Sequence, residues 1–98
     1  MNTRITRTLD IDGTFLQGTI EATYAELVHA FGLPERWDDP KVSTEWDLLI
    51  DGTVATIHDW KDHAPAEQIT TWSVGGHNRA ALECVQAALA AWRAKAAR

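Results

Sequence analysis

A chain of 98 residues, 45% apolar and 23% charged, has room for one domain with a thin core and none for a second, so residues 1–98 are read as a single domain. No stretch approaches the ~18 unbroken apolar residues of a membrane span, and the opening MNTRITRTLDID lacks the apolar segment of a secretory leader; a cytoplasmic protein is expected. One cysteine, Cys84, excludes an internal disulfide and a thiolate-rich zinc site, and a net charge of −5 argues against nucleic acid as a partner.

The charge is unevenly placed. Five basic side chains face thirteen acidic ones before Arg79, whereas from Arg79 on there are four basic residues against Glu83 alone. Basic residues at the C-terminal end of a helix complement its dipole, the plainer reading beside that of a basic docking tail.

In chain order, Asp12-Gly13 is a two-residue hairpin signal. Folding about it pairs Leu9 with Leu16 and Ile5 with Ile20, which gathers the apolar side chains on one face. Thr23 to Glu26 is a capping box, and Tyr24, Leu27, Val28 and Phe31 share one helix face before Gly32 and Pro34 stop it. Leu33 to Lys41, with two prolines and Trp37, reads as an irregular loop. Val42 to Ile50 and Thr53 to Trp60 flank Asp51-Gly52, a second hairpin signal. It pairs Leu48 with Ala55 and Trp46 with Ile57 on an apolar face, and Asp47 with Thr56 and Glu45 with His58 on a half-polar one. Lys61 to Glu67 is a polar loop, and Gln68 to Val74 is a β-branched run ended by Gly75-Gly76. From about His77 to Lys95, Ala81, Leu82, Val85, Ala88, Leu89 and Trp92 trace a helical stripe. The expected fold is a two-layer α+β domain of order ββαβββα. It has two hairpins and a fifth strand in a mostly antiparallel sheet, and both helices on one face. The other face is left to solvent, a ligand or another subunit.

Glu45 opposite His58 is the arrangement by which a carboxylate raises an imidazole's basicity and fixes its tautomer. The sequence sets no nucleophile beside them, and an ordinary polar pair on a wet sheet face explains them as well. The crowded HDWKDH (His58 to His63) invites a metal, but His58 and Asp59 point to opposite faces of a strand, so no metal site and no cofactor is expected. Cys84 reads as a small packed side chain. Gly75-Gly76-His77-Asn78 opening a helix offers backbone N–H groups to an anion; the same residues also suffice as a turn and a cap. Of five tryptophans, Trp46, Trp72 and Trp92 fall on faces expected to be buried. Trp37 and Trp60 do not, and exposed tryptophan is a favoured anchor in binding. The candidate binding residues are therefore Trp37, Glu45, His58, Trp60, Gly75, Gly76 and His77, with none assigned to catalysis.

The segments GTFLQGTIEATYAELVHAFGLP, STEWDLLIDGTVATIHDWK and TWSVGG resemble a family of small uncharacterised accessory proteins carried by phages of actinobacteria and by other viruses. The pattern reads GTxLQGxI, TYxxLxxxFGxP, EWxxxxxDGTVATIYDWK and WxxGG, from about Gly13 to Gly76. His58 stands at the pattern's tyrosine, which weakens a catalytic role for it. The resemblance implies a viral product acting in the host cytoplasm and brings no activity with it.

Three functions are carried forward. The first is a non-enzymatic, homo-oligomeric module that binds a host or phage protein through the open sheet face and the Trp37 loop. The second is a sequestering protein for a nucleotide-like anionic signal. The third is a small hydrolase using His58 and Glu45.

Overall fold

The computed structural model describes residues 5–7, 10–36, 44–60 and 64–97. Its strands are β1 (Ile5–Arg7), β2 (Phe15–Glu21), β3 (Glu35–Arg36), β4 (Thr44–Ile50), β5 (Thr53–His58) and β6 (Thr71–Gly76). Its helices are α1 (Tyr24–Phe31) and α2 (Ala80–Ala96), with a 3₁₀ turn at Ala66–Gln68. The strands form one antiparallel sheet of order β1-β4-β5-β6-β2, with β3 also against β4. This is the α+β architecture of the sequence analysis, with both helices packed on one sheet face.

The β4–β5 hairpin has the predicted register, from Ile50 opposite Thr53 to Glu45 opposite His58. Asp51 and Gly52, with φ of 49° and 85°, adopt the left-handed pair that a two-residue turn matched to strand twist requires. Alternation then sorts the side chains. Trp46, Leu48, Ile50, Ala55 and Ile57 enter the core, while Glu45, Asp47, Thr56 and His58 take the other face.

Helix α1 carries the predicted capping box: Glu26 N donates to Thr23 Oγ1 at 3.1 Å and Thr23 N to Glu26 Oε1 at 2.9 Å. Leu27 and Phe31 are buried beneath it. From α2, Ala81, Leu82, Val85, Ala88 and Leu89 cover the sheet. Trp46 and Trp72 meet edge to face at 5.3 Å in the centre. Each indole N–H is satisfied, Trp46 Nε1 donating to Gly32 O at 2.7 Å and Trp72 Nε1 to Ala22 O at 3.0 Å. Trp92 is only half-buried and stacks on His29, and Cys84 packs against the core edge. No helix among the described residues is long and apolar enough to cross a membrane.

The first expected hairpin does not form. The Asp12-Gly13 turn is present, Thr14 N donating to Ile11 O at 3.1 Å, but β1 pairs with β4 and β2 pairs with β6 at the opposite edge. A turn reverses the chain locally; it does not choose which free strand edge each arm then meets. Four strand spacings, about 19 Å, separate β1 from β2, so the chain between them has to traverse the sheet. Ile11 and Thr14 of that connection lie on the face away from the helices, beside Glu45, Thr56 and His58. Three smaller differences follow from pairing that local sequence does not report. Glu35 and Arg36, inside the expected loop, add to β4 as β3. The last strand runs through Gly75 and Gly76 rather than stopping before them. Helix α2 starts at Ala80, after a bend at His77 and Asn78.

Candidate functional site

On the face opposite the helices lies a cavity of about 410 Å³, lined by Ile11, Thr14, Phe15, Leu16, Glu45, Thr56, His58, Trp60, Ser73 and Gly75. The central strands make its floor. Glu45, His58 and Ser73 stand in one row across β4, β5 and β6, and Thr56 pairs with Gly75 in the next row. The traversing segment makes its wall, with Ile11 and Thr14 on that segment and Phe15 and Leu16 at the start of β2. A β-bulge lies between Leu16 and Gly18, where Gln17 Nε2 donates to Gly76 O at 3.0 Å. Phe15, Leu16 and Trp60 are 61%, 63% and 52% exposed, an apolar rim around a polar floor.

Among the described residues no lysine or arginine lines this cavity. Burial pushes the Glu45 carboxyl up to about 8, helped by its hydrogen bond to the Asp47 side chain and by the negative charges of Asp47 and Asp59. Burial and the neighbouring carboxylates thus favour the protonated form of Glu45. Burial likewise lowers the His58 pKa, against the opposing pull of Asp59 and Asp47, and keeps the imidazole neutral. Asp47 is 8% exposed, and its Oδ1, like His58 Nδ1, is buried without a hydrogen-bond partner. Asp59 is differently placed: its Oδ1 accepts from Thr44 N at 2.9 Å, which ties the end of β5 to the start of β4.

The cavity brings together four of the seven residues singled out from the sequence: Glu45, His58, Trp60 and Gly75. Gly76 lies one residue further along β6 and is buried. A Cβ there would collide with the Ala81 side chain of α2 and reach 3.2 Å from Val54 O, so glycine serves the close approach of helix to strand. The two glycines thus have their backbone in strand pairing, with Gly75 opposite Leu16 and Thr56, and Gly76 opposite Phe15 and Ala55. They do not open the helix, and Asn78 Oδ1 accepts from Ala80 N at 2.9 Å there. His77 is exposed beside Gly13, at a separate shallow hollow with Gly52, Thr53, Val54, Asn78 and Ala80. Trp37 lies outside the described residues, as do Lys61, Asp62 and His63 of the HDWKDH run.

Ile11, Thr14, Phe15 and Leu16 are not among the residues the sequence singles out, because the expected hairpin sends Leu16 to the core. Adjacent Phe15 and Leu16 break strict alternation, which marks an irregular strand start without saying what it faces. Ser73 is likewise absent from that set, and pairing places it opposite His58. Among the described residues no three histidine, cysteine, aspartate or glutamate side chains converge as metal ligands would. No protein-family model matches the chain, and no curated protein or solved structure is significantly similar to it.

Proposed function

We propose that this chain is a non-enzymatic binding protein that captures a small molecule with a planar, nucleobase-like ring in the open-face cavity. The carrying observation is the lining itself: exposed Phe15 and Trp60 at the mouth, and uncharged Glu45 and His58 with the hydroxyls of Thr56 and Ser73 below. A volume of about 410 Å³ lies in the range of small-molecule sites. Aromatic rims stack on rings of any base, while buried polar groups select an edge. With no cationic side chain among the described lining residues, the phosphates of a nucleotide are placed outside, toward solvent. Capture without turnover is favoured because the Glu45 carboxyl is engaged by Asp47 and protonated, so it does not act as the anionic partner that an imidazole base needs. Together with the resemblance to phage accessory proteins, this reading makes the chain a sponge for a host signalling nucleotide.

The test is thermal unfolding of the full chain against a panel of nucleosides and linear and cyclic nucleotides, with Trp60→Ala, at the exposed mouth, as the control. A ligand at 100 times its Kd adds about 2.7 kcal/mol of stability. A shift in the wild type that is diminished in Trp60→Ala supports the reading. No shift across the panel sinks it.

A second reading rests on the exposed apolar rim of Phe15, Leu16 and Trp60, a patch suited to a host or phage protein or to a second copy of the chain. Native mass spectrometry separates the two readings. A polypeptide partner, or a dimer, that is lost on Leu16→Asp favours this surface; a small mass increment per subunit favours capture.

A further inference from the structure

Strand β2 ends the sheet on one side, and the direction of its hydrogen bonds tells which of its groups are spare. Ala22 N, just past the strand, donates to Thr70 O at 2.9 Å. Antiparallel pairing alternates, so the register that sets Ile20 opposite Trp72 and Gly18 opposite Val74 turns the backbone of those residues toward β6 and that of Thr19 and Glu21 outward. Arg93 Nη2 reaches Glu21 O at 2.9 Å from outside, as this parity requires. Thr19 N–H and C=O and Glu21 N–H face away from the sheet, and among the described residues no strand pairs with them. Edges of this kind are commonly guarded by lysine or proline. The sequence FLQGTIE has neither, and its bulge lies only near the start, between Leu16 and Gly18.

Helix α2 flanks this edge. Gln86, Ala90 and Arg93 border a hollow of about 270 Å³ together with Thr19 and Glu21. Glu83, exposed as they are, lies one turn before Gln86 on the same flank. The flank is therefore acidic near its start, small and uncharged in its middle and basic near its end. A surface with that order is complementary to itself when two copies run antiparallel.

We propose that β2 pairs antiparallel with β2 of a second copy of this chain, about a two-fold axis that passes through the Thr19 pair perpendicular to the sheet. Thr19 of each copy then exchanges both backbone hydrogen bonds with Thr19 of the other, and Gly18 faces Ile20. The neighbouring registers are worse. One centred on Ile20 sets Thr19 N–H against Glu21 O, which Arg93 already holds, and one centred on Glu21 sets two carboxylates opposite each other. The same axis keeps both α2 helices on one face of the joined sheet and runs them antiparallel, which carries Glu83 of each copy toward Arg93 of the other. An unrelated strand would satisfy the backbone groups as well; the self-complementary flank of α2 is what favours a second copy. The cavity opens on the other face, so this pairing stands independently of any ligand there.

Sedimentation equilibrium of the full chain measures the dissociation constant of the dimer. Thr19→Pro removes an N–H that no bond between β2 and β6 uses, so the sheet is kept while two bonds between copies are lost, and the constant is expected to rise about tenfold or more. Glu83→Arg, which sets like charges against each other across the axis, is expected to raise it about threefold. In the wild type, exchange of the Thr19 and Glu21 amide hydrogens, followed by NMR, is expected to slow as the chain is concentrated, a readout that holds even where Thr19→Pro fails to fold. A wild-type chain that stays monomeric up to about 1 mM overturns the proposal. So does a dimer whose constant neither substitution changes, or one in which the two amides exchange equally fast at every concentration. A dimer dissolved by Leu16→Asp and untouched by Thr19→Pro belongs to the cavity rim and overturns it too.

Discussion

Glu45 and His58 face each other across β4 and β5, and burial moves their proton affinities in opposite directions, the carboxyl up to about 8 and the imidazole down. The linkage signs differ accordingly. Between 4.5 and 8 folded Glu45 holds a proton that the unfolded chain releases, so its contribution to stability falls as pH rises through that window. Below 6.5 the unfolded chain protonates His58 and the folded one does not, so that contribution falls as pH drops. The two oppose each other below 6.5, and Glu45 acts alone above it. Urea-unfolding stability is expected to decline from pH 6.5 to 8 and to lose that slope in Glu45→Gln. A wild-type stability that rises over this interval would contradict the assignment.

Gly76 is where α2 comes closest to the sheet. A Cβ at this position has no space between the Ala81 side chain and Val54 O, and both belong to packed elements rather than to the flexible end of a long side chain. Gly76→Ala is expected to destabilise the fold by about 1–3 kcal/mol, the usual cost of overpacking. Gly52→Ala, at a turn with open space but φ of 85°, separates steric from conformational cost. Chemical denaturation of both variants checks this, and a Gly76→Ala midpoint equal to wild type would mean that α2 sits further from β6.

Arg93 ties the end of α2 to two other elements. Its Nε and Nη2 donate to Glu26 of α1 at 2.8 and 3.1 Å, and Nη2 also donates to Glu21 O of β2 at 2.9 Å. Its hydrogen bonds, together with the Thr23 N–H, hold Glu26 at about 2. The pair is largely solvent-exposed, so its worth to the fold is modest, of order 1 kcal/mol or less. That stability is present above 4.5 and lost as pH falls toward 2. In an NMR titration, Arg93→Ala is expected to bring the Glu26 midpoint upward toward the ordinary carboxylate range. An unmoved midpoint would mean that Thr23 alone sets it.

Sequence was informative wherever structure is decided locally. The Thr23–Glu26 box, the Asp51-Gly52 turn and the β4–β5 register each depend on residues within one element or one hairpin, and each is present. The opposition of Glu45 and His58 was legible for the same reason. What escaped was long-range: the Asp12-Gly13 turn carries the same local signal as Asp51-Gly52, yet its arms find partners 41–45 and 50–61 residues away, at β4 and β6. The cavity wall of Ile11, Thr14, Phe15 and Leu16 exists because of that crossing, so no local pattern could place it over His58. Gly75 and Gly76 were conspicuous as glycines; their use in close packing needed the position of α2 to be known.

Trp60 is well exposed, whereas Trp46 and Trp72 are fully buried, which makes it a reporter for the cavity mouth. A ring entering the cavity would stack on Trp60 and shield it from solvent, while the two core indoles stay unchanged. Binding is therefore expected to cut the iodide-quenchable part of the tryptophan fluorescence, and Trp60→Phe to abolish that change with affinity retained within about threefold, since the phenyl face still stacks. Trp60→Ala is expected to weaken binding about tenfold or more, the scale of one lost base–aromatic contact. Leu16→Ala, on the opposite rim, removes apolar contact without a π face and should cost less. Quenching by iodide that is unaffected by a bound ring, with Trp60→Ala binding as tightly as wild type, would move the binding surface away from this cavity.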